Sequence, residues 1–206
     1  MAKLVPNQRH GSELNVMRSL SFGDNAEAER AFRLVKSRLL DVNRWHFLTQ
    51  PPLAVFLLTD KRGNPLNGNV RKGYLFKISS PLPQSINGDG FDWVEVEEIK
   101  DITKKELSLI AVRVRPVASP MHPNAGTSHF FKSDATSTFE AQRIGGTVTV
   151  GIFGRNELPN TESENFVDTL RNFAVAAGAA LFGSQTQWDR LAEGLVRGFD
   201  QEEKTF

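Results

Sequence analysis

The chain has 206 residues, 39% apolar and 24% charged, and no cysteine. This fits one globular domain with a substantial core and excludes disulfides, thiolate metal ligands and a cysteine nucleophile. The net charge of +1 is unevenly spread: thirteen basic and six acidic residues up to Lys77, then twelve basic and eighteen acidic. Either a basic face or two mutually neutralising halves would produce that asymmetry.

The N-terminal ten residues have no apolar h-region of a secretory signal. The longest small-apolar run, 173–182, is about half of what a membrane span needs. A soluble, cytoplasmic protein is the expectation, with no membrane partner.

Residues 1–23 are polar and lack clear periodicity. They read as an N-terminal arm, partly extended, with Leu14, Val16, Leu20 and Phe22 available for docking. A single α+β domain is expected over 24–200, followed by a frayed tail at 201–206. Asp24-Asn25-Ala26-Glu27 forms a capping box. Ala28, Ala31, Phe32, Val35, Leu39 and Val42 follow at helical spacing and predict about five turns, ending near Asn43-Arg44.

The period then changes. Strands are expected over 53–59, 72–79, 92–99 and 107–117, with turn-rich loops at 81–90 and 118–127. A short strand is expected over 128–131. Strands over 135–143 and 147–153 form a hairpin across Ile144-Gly145-Gly146. A junction follows: Gly154-Arg155-Asn156-Glu157-Leu158-Pro159-Asn160. Thr161-Glu162-Ser163-Glu164 is a second capping box, and Phe166, Leu170, Phe173, Ala177 and Leu181 mark a helix face. Gly183-Ser184 is a potential break before Trp188, Leu191, Leu195 and Phe199.

The order is one helix, about six strands, then a long or broken helix. This predicts a curved antiparallel sheet flanked by the two helices. By architecture alone it is similar to helix-grip, START-like ligand-binding domains. That resemblance implies a cavity between the sheet and the C-terminal helix. No sequence motif accompanies it, and the strand expected before the first helix is missing or irregular here.

Common catalytic and cofactor signatures fail. Gly68 and Gly73 have P-loop spacing, but Tyr74 stands where the phosphate-binding lysine belongs. Gly88-Asp89-Gly90 lacks the third glycine of a dinucleotide loop. The acidic run at 87–92 lacks the bidentate glutamate of a calcium loop. Nothing fixes His122 and His129 as metal ligands, and Thr136-Ser137-Thr138 has no base except His129 nearby in sequence. No cofactor or metal is expected.

Arg113 and Arg115 alternate with Val112 and Val114, so both point to one side of a strand. Leu109 and Ala111 precede them on that side, giving an apolar end and a cationic end. Such a face suits an amphipathic anion in a pocket, and Arg143 and Arg155 join it if the last strands are neighbours. The other reading pairs the arginines with Glu95 or Glu97 across the sheet. In the junction, Arg155, Asn156 and Glu157 either line that site or form a structural lock. The lock would pair Arg155 with Glu157 or Asp168, and Asn156 and Asn160 would satisfy loop carbonyls. Arg30, Arg33, Lys36 and Arg38 lie on the first helix, but interleaved acids and a pI of about 8.0 argue against nucleic acid.

Three functions follow. The first is a non-enzymatic module binding a small amphipathic anionic ligand through Arg113, Arg115, Arg143, Arg155, Asn156 and Glu157. The second is an assembly subunit docking on identical or different chains through its arm and exposed Phe residues. The third is a hydrolase or cyclase-like enzyme using His129 or Glu157.

Overall fold

The computed structural model describes residues 4–49, 54–79, 89–160 and 180–199. In chain order the elements are β1 Ser12–Ser21, α1 Asn25–Leu40, a 3-10 turn Val42–Arg44, α2 Trp45–Leu48, β2 Val55–Thr59 and β3 Leu75–Ser79. Then come β4 Asp92–Thr103, β5 Leu107–Pro116, β6 Thr136–Ile144, β7 Thr147–Glu157 and α3 Ala180–Val196. The strands form one antiparallel sheet in the order β1-β7-β6-β5-β4-β3-β2.

Alternation along the strands separates the two faces of the sheet. Val94 and Val96 of β4, Ile110, Val112 and Val114 of β5, Phe139 and Ala141 of β6, and Val148, Val150 and Ile152 of β7 are buried in one core. Ala28, Ala31, Phe32, Val35 and Leu39 of α1 complete that core from the helix side, with Leu191, Ala192, Leu195 and Val196 of α3. Trp45 sits at its centre, 4.7 Å from Phe139 and 5.3 Å from Phe56 by ring centroids. Full burial of a Phe-sized side chain contributes up to about 3 kcal/mol, so this aromatic cluster fixes where the helices rest.

The predicted N-cap is present: the Asp24 carboxylate accepts from the Glu27 N–H at 2.7 Å. The chain does not carry α1 through to Arg44. It turns at Asp41, and the 3-10 turn and α2 redirect it so that Trp45 points inward.

The sheet has seven strands because much of the expected arm belongs to it. β1 pairs with β7 from Ser21↔Thr147 to Ser12↔Glu157. Val16 is buried, and Leu14, Leu20 and Phe22 pack against the core. Arg18 interrupts this period-two pattern at an inward position, where it meets Asp189 of α3 at 3.0 Å. That interruption makes the strand read as irregular in the sequence.

Two further expectations change. Residues 128–131 form no strand; Phe131 makes a single bridge to Pro159. Gly183-Ser184 does not interrupt α3. The second capping box, Asp168, the first face of the C-terminal helix and the 201–206 tail lie outside the described residues. Among the described residues, no helix is long and apolar enough to cross a membrane.

Candidate functional site

Between the inner sheet face and α3 lies a cavity. Its apolar wall includes Phe56, Phe76, Phe130, Phe131, Phe139 and Trp188. Asp92, His129, Ser137, Glu157 and Gln187 supply its polar groups. About 70 Å³ is open inside, well below the roughly 300–1,000 Å³ typical of pockets for drug-sized ligands. Trp188 narrows it, with its ring 5.3 Å from Phe139 and 5.9 Å from Phe56.

Three local features bring the polar groups here. Asp92 opens β4 at a position in phase with Val94 and Val96, so the apolar side of the strand begins with a buried carboxylate. Glu157 depends on a bulge. Asn156 has φ 57°, and the β1–β7 register slips between Leu14↔Gly154 and Ser12↔Glu157. A bulge re-aims the following side chain; here Glu157 turns towards the cavity and lies against Gly154. Space for that carboxylate requires a glycine at 154.

His129 is held by the junction. Asn160 donates through Nδ2 to the carbonyls of Thr127 (3.1 Å) and His129 (3.2 Å), and its N–H donates to the Phe130 carbonyl at 2.8 Å. The Lys132 N–H donates to the Leu158 carbonyl at 3.0 Å. These bonds clamp 127–132 against 158–160. The Phe131 N–H donates to His129 Nδ1 at 2.9 Å, so Nε2 carries the proton of the neutral ring.

Burial lowers the His129 pKa to about 3 and thus keeps the imidazole uncharged. Burial also pushes the Glu157 carboxyl above its ordinary range, partly opposed by the Ser12 hydroxyl and the Arg155 charge. Ser12 Oγ lies 3.3 Å from Glu157 Oε2. The cavity therefore combines a neutral imidazole with two carboxyl groups in an aromatic wall.

Of the six residues expected to form the site, only Glu157 lines this cavity. Arg113 and Arg115 point away from the helices and pair with Glu97. Arg113 Nε is 2.8 Å from Glu97 Oε1, and its NH2 is 2.8 Å from Glu98 Oε2. Arg115 Nε also binds Glu97. Burial acts to raise the Glu97 carboxyl, but hydrogen bonds and charge from Arg115 and Arg113 outweigh it and hold the pKa below the usual value. A β4 bulge at Glu97 places this carboxylate where it can serve both arginines. The cross-sheet pairing reading is therefore the one observed.

Arg143 lies at the far end of β6, five residues or about 17 Å from Thr138, the partner of Arg113. It donates to the carbonyls of Gly145 (3.1 Å), Lys104 (3.4 Å) and Lys105 (2.9 Å), so it ties two hairpin turns together. Arg155 is a lock: its charge acts on Glu157 as expected, and its hydrogen bonds reach β1 and its own strand. Its NH1 donates to the carbonyls of Leu14 (2.9 Å) and Gly154 (2.6 Å), and its NH2 donates to Asn15 Oδ1 at 2.7 Å. Its ion pair is with Glu13 at 3.9 Å, so it fastens β1 to β7.

Asn156 fastens the segment before β1. Its Oδ1 accepts from the Arg9 N–H at 2.8 Å, and its own N–H donates to Gln8 Oε1 at 3.0 Å. Arg113 NH1 donates to the Leu4 carbonyl at 2.7 Å, and His10 pairs with Asp134. Residues 4–11 thus cross the outer face of their own sheet. A surface cleft of about 430 Å³ remains between this strap and Glu97, Arg113 and Arg115.

His122 pairs with Asp89 at 3.2 Å on an exposed loop, whereas His129 is buried in the cavity. Among the described residues, no group of three His, Asp or Glu side chains could hold a metal ion. Ser137 faces the cavity, while Thr136 and Thr138 have the opposite strand phase.

The sequence reading missed Asp92 and the cavity position of His129. Asp92 had a visible signal, since its spacing from Val94 and Val96 places a carboxylate on an apolar strand face. His129 had none, because the clamp through Asn160 joins segments about thirty residues apart.

No family profile and no curated protein sequence matches the chain. Solved structures with a similar chain path include hypothetical protein jhp0584 from Helicobacter pylori. It is 12% identical, with 93% of this chain and 98% of that chain covered, at a TM-score of 0.49. Ara h 8.0201 is 10% identical over 90% of this chain and 99% of that chain, at a TM-score of 0.36. Major latex-like protein 151 from Panax ginseng is 11% identical over 80% and 95%, at 0.33. At these scores the likeness transfers no activity to this chain.

Proposed function

We propose that this α+β protein binds a small amphipathic molecule in the cavity between its sheet and α3. The observation carrying this reading is an inward-facing aromatic wall that encloses two carboxyl groups and an imidazole. A few polar groups set in an apolar wall are the composition of a site that orients a small molecule. The apolar wall would hold the ligand body, while Asp92, His129 and Glu157 would fix its orientation. Arg113, Arg115, Arg143 and Arg155 are engaged elsewhere by Glu97, Glu98 and backbone carbonyls.

Native mass spectrometry of the purified protein, followed by thermal-shift screening of small aromatic and aliphatic molecules, tests this reading. A co-purifying species or a saturable rise in melting temperature is expected. If neither occurs, the cavity is only an imperfectly packed core.

A second reading is an acid–base enzyme. It is favoured by a raised Glu157 carboxyl and a lowered His129 imidazole around one cavity. Conversion of a bound molecule, seen as a mass change that stops in Glu157→Gln, would select this reading over simple binding.

A further inference from the structure

On the face of the sheet away from α3, we propose a second site: the cleft between residues 4–11 and strands β5 to β7 binds a phosphate group, free or carried on a small polar molecule. Its lining comes from both sides. Asn7, Arg9 and His10 belong to the crossing segment, and Arg115 and Asn156 belong to the sheet. At about 430 Å³ the cleft falls within the range of small-molecule pockets, with room for a compact body behind the phosphate. Its lining and that of the inner cavity share no residue.

The cleft holds donors that the fold leaves uncommitted. The Arg9 guanidinium has no ion pair or hydrogen bond among the described residues; only its backbone N–H is engaged, by Asn156 Oδ1. Asn156 uses Oδ1 for that bond and its own N–H for Gln8, which leaves Nδ2 to donate. Arg115 gives Nε and NH2 to Glu97 and keeps NH1. The carboxylates in the lining are already engaged, Glu97 by Arg113 and Arg115 and Asp134 by His10. The groups left over are thus donors, two of them charged, on three separate segments of the chain. A phosphate presents acceptor oxygens in several directions and forms charge-assisted bonds with guanidinium groups. One such group can therefore bridge the crossing segment, β5 and β7.

Calorimetric titration at pH 7 in about 0.15 M sodium chloride with glucose 6-phosphate, inorganic phosphate and glucose tests this site. Both phosphates are expected to bind saturably, and glucose is not. Tighter binding of the sugar phosphate assigns the site to a phosphorylated small molecule, and equal binding assigns it to free phosphate. Arg9→Gln keeps the backbone contact to Asn156. Asn156→Asp keeps the oxygen that accepts from Arg9 and tolerates the φ of 57°. Each should weaken phosphate binding by about tenfold. Absence of saturable phosphate binding would overturn the proposal, as would an unchanged affinity in either variant.

Discussion

Titration of His129 gives a direct energetic test of the clamp that builds the cavity. Its pKa is about 3 in the folded chain because the imidazole is buried, against about 6.5 in an unfolded one. Between those values the unfolded state binds a proton that the folded state does not. The resulting stability is therefore fully present above pH 6.5 and is lost as pH falls towards 3. From pH 7.5 to pH 5.0 the loss is about 2 kcal/mol, at about 1.4 kcal/mol per pH unit once below 6.5. Glu157 acts in the opposite sense: its raised carboxyl favours the folded state below about 4.5 and loses that contribution as pH rises through the raised value. The informative quantity is therefore the difference between wild type and His129→Gln, which removes only the imidazole. Urea unfolding of both proteins at pH 7.5 and 5.0 measures it. Wild type should lose about 2 kcal/mol more than the variant over that interval. Equal losses would mean that His129 is solvated, and that the Asn160 clamp does not seal this end of the cavity.

Other substitutions probe separate parts of the construction. Arg143→Met removes three carbonyl contacts from a buried position and should cost about 3 kcal/mol in chemical unfolding; a cost below about 1 kcal/mol would show the turns satisfied by water. Gly194→Ala should destabilise by roughly 1–3 kcal/mol despite better helix propensity. The new methyl would press on the Leu48 backbone, where α3 meets α2, and a rise in melting temperature would contradict that packing. Thr138→Val should stabilise by about 1 kcal/mol, because the Thr138 hydroxyl is buried without a hydrogen-bond partner among the described residues. A fall in the unfolding midpoint would reveal a partner.

Much of the fold was legible because period and punctuation agree locally. The Asp24 cap, the Ala28-to-Leu39 stripe and the hairpin across Gly145-Gly146 each depend on residues close in sequence. β1 was less legible because Arg18 breaks its alternation, and only Asp189, far along the chain, explains that residue. The arginines show a different limit. Alternation placed Arg113 and Arg115 on one face correctly, but could not say that this face points away from α3. Whether β5 shows its valines or its arginines to the helices follows from the whole sheet: Val96, Val112, Ala141 and Val150 form one continuous apolar surface. The junction's character was legible, including Asn160 on loop carbonyls, but most of its hydrogen-bond partners were not. Its roles depend on Asn156 at φ 57° and on contacts to Gln8, Arg9 and Leu14, which no local pattern encodes.

Fluorine NMR of protein labelled with 5-fluorotryptophan reads occupancy of the cavity beside Trp188 directly. The chain has three tryptophans: Trp188 lines the cavity, Trp45 sits behind its Phe139 and Phe56 wall, and Trp93 lies near Lys77 on the other face. Addition of a small amphipathic molecule that raises the melting temperature should shift the Trp188 resonance saturably, move Trp45 less and leave Trp93 in place. A static Trp188 signal at saturating probe, or a shift confined to Trp93, would contradict the account.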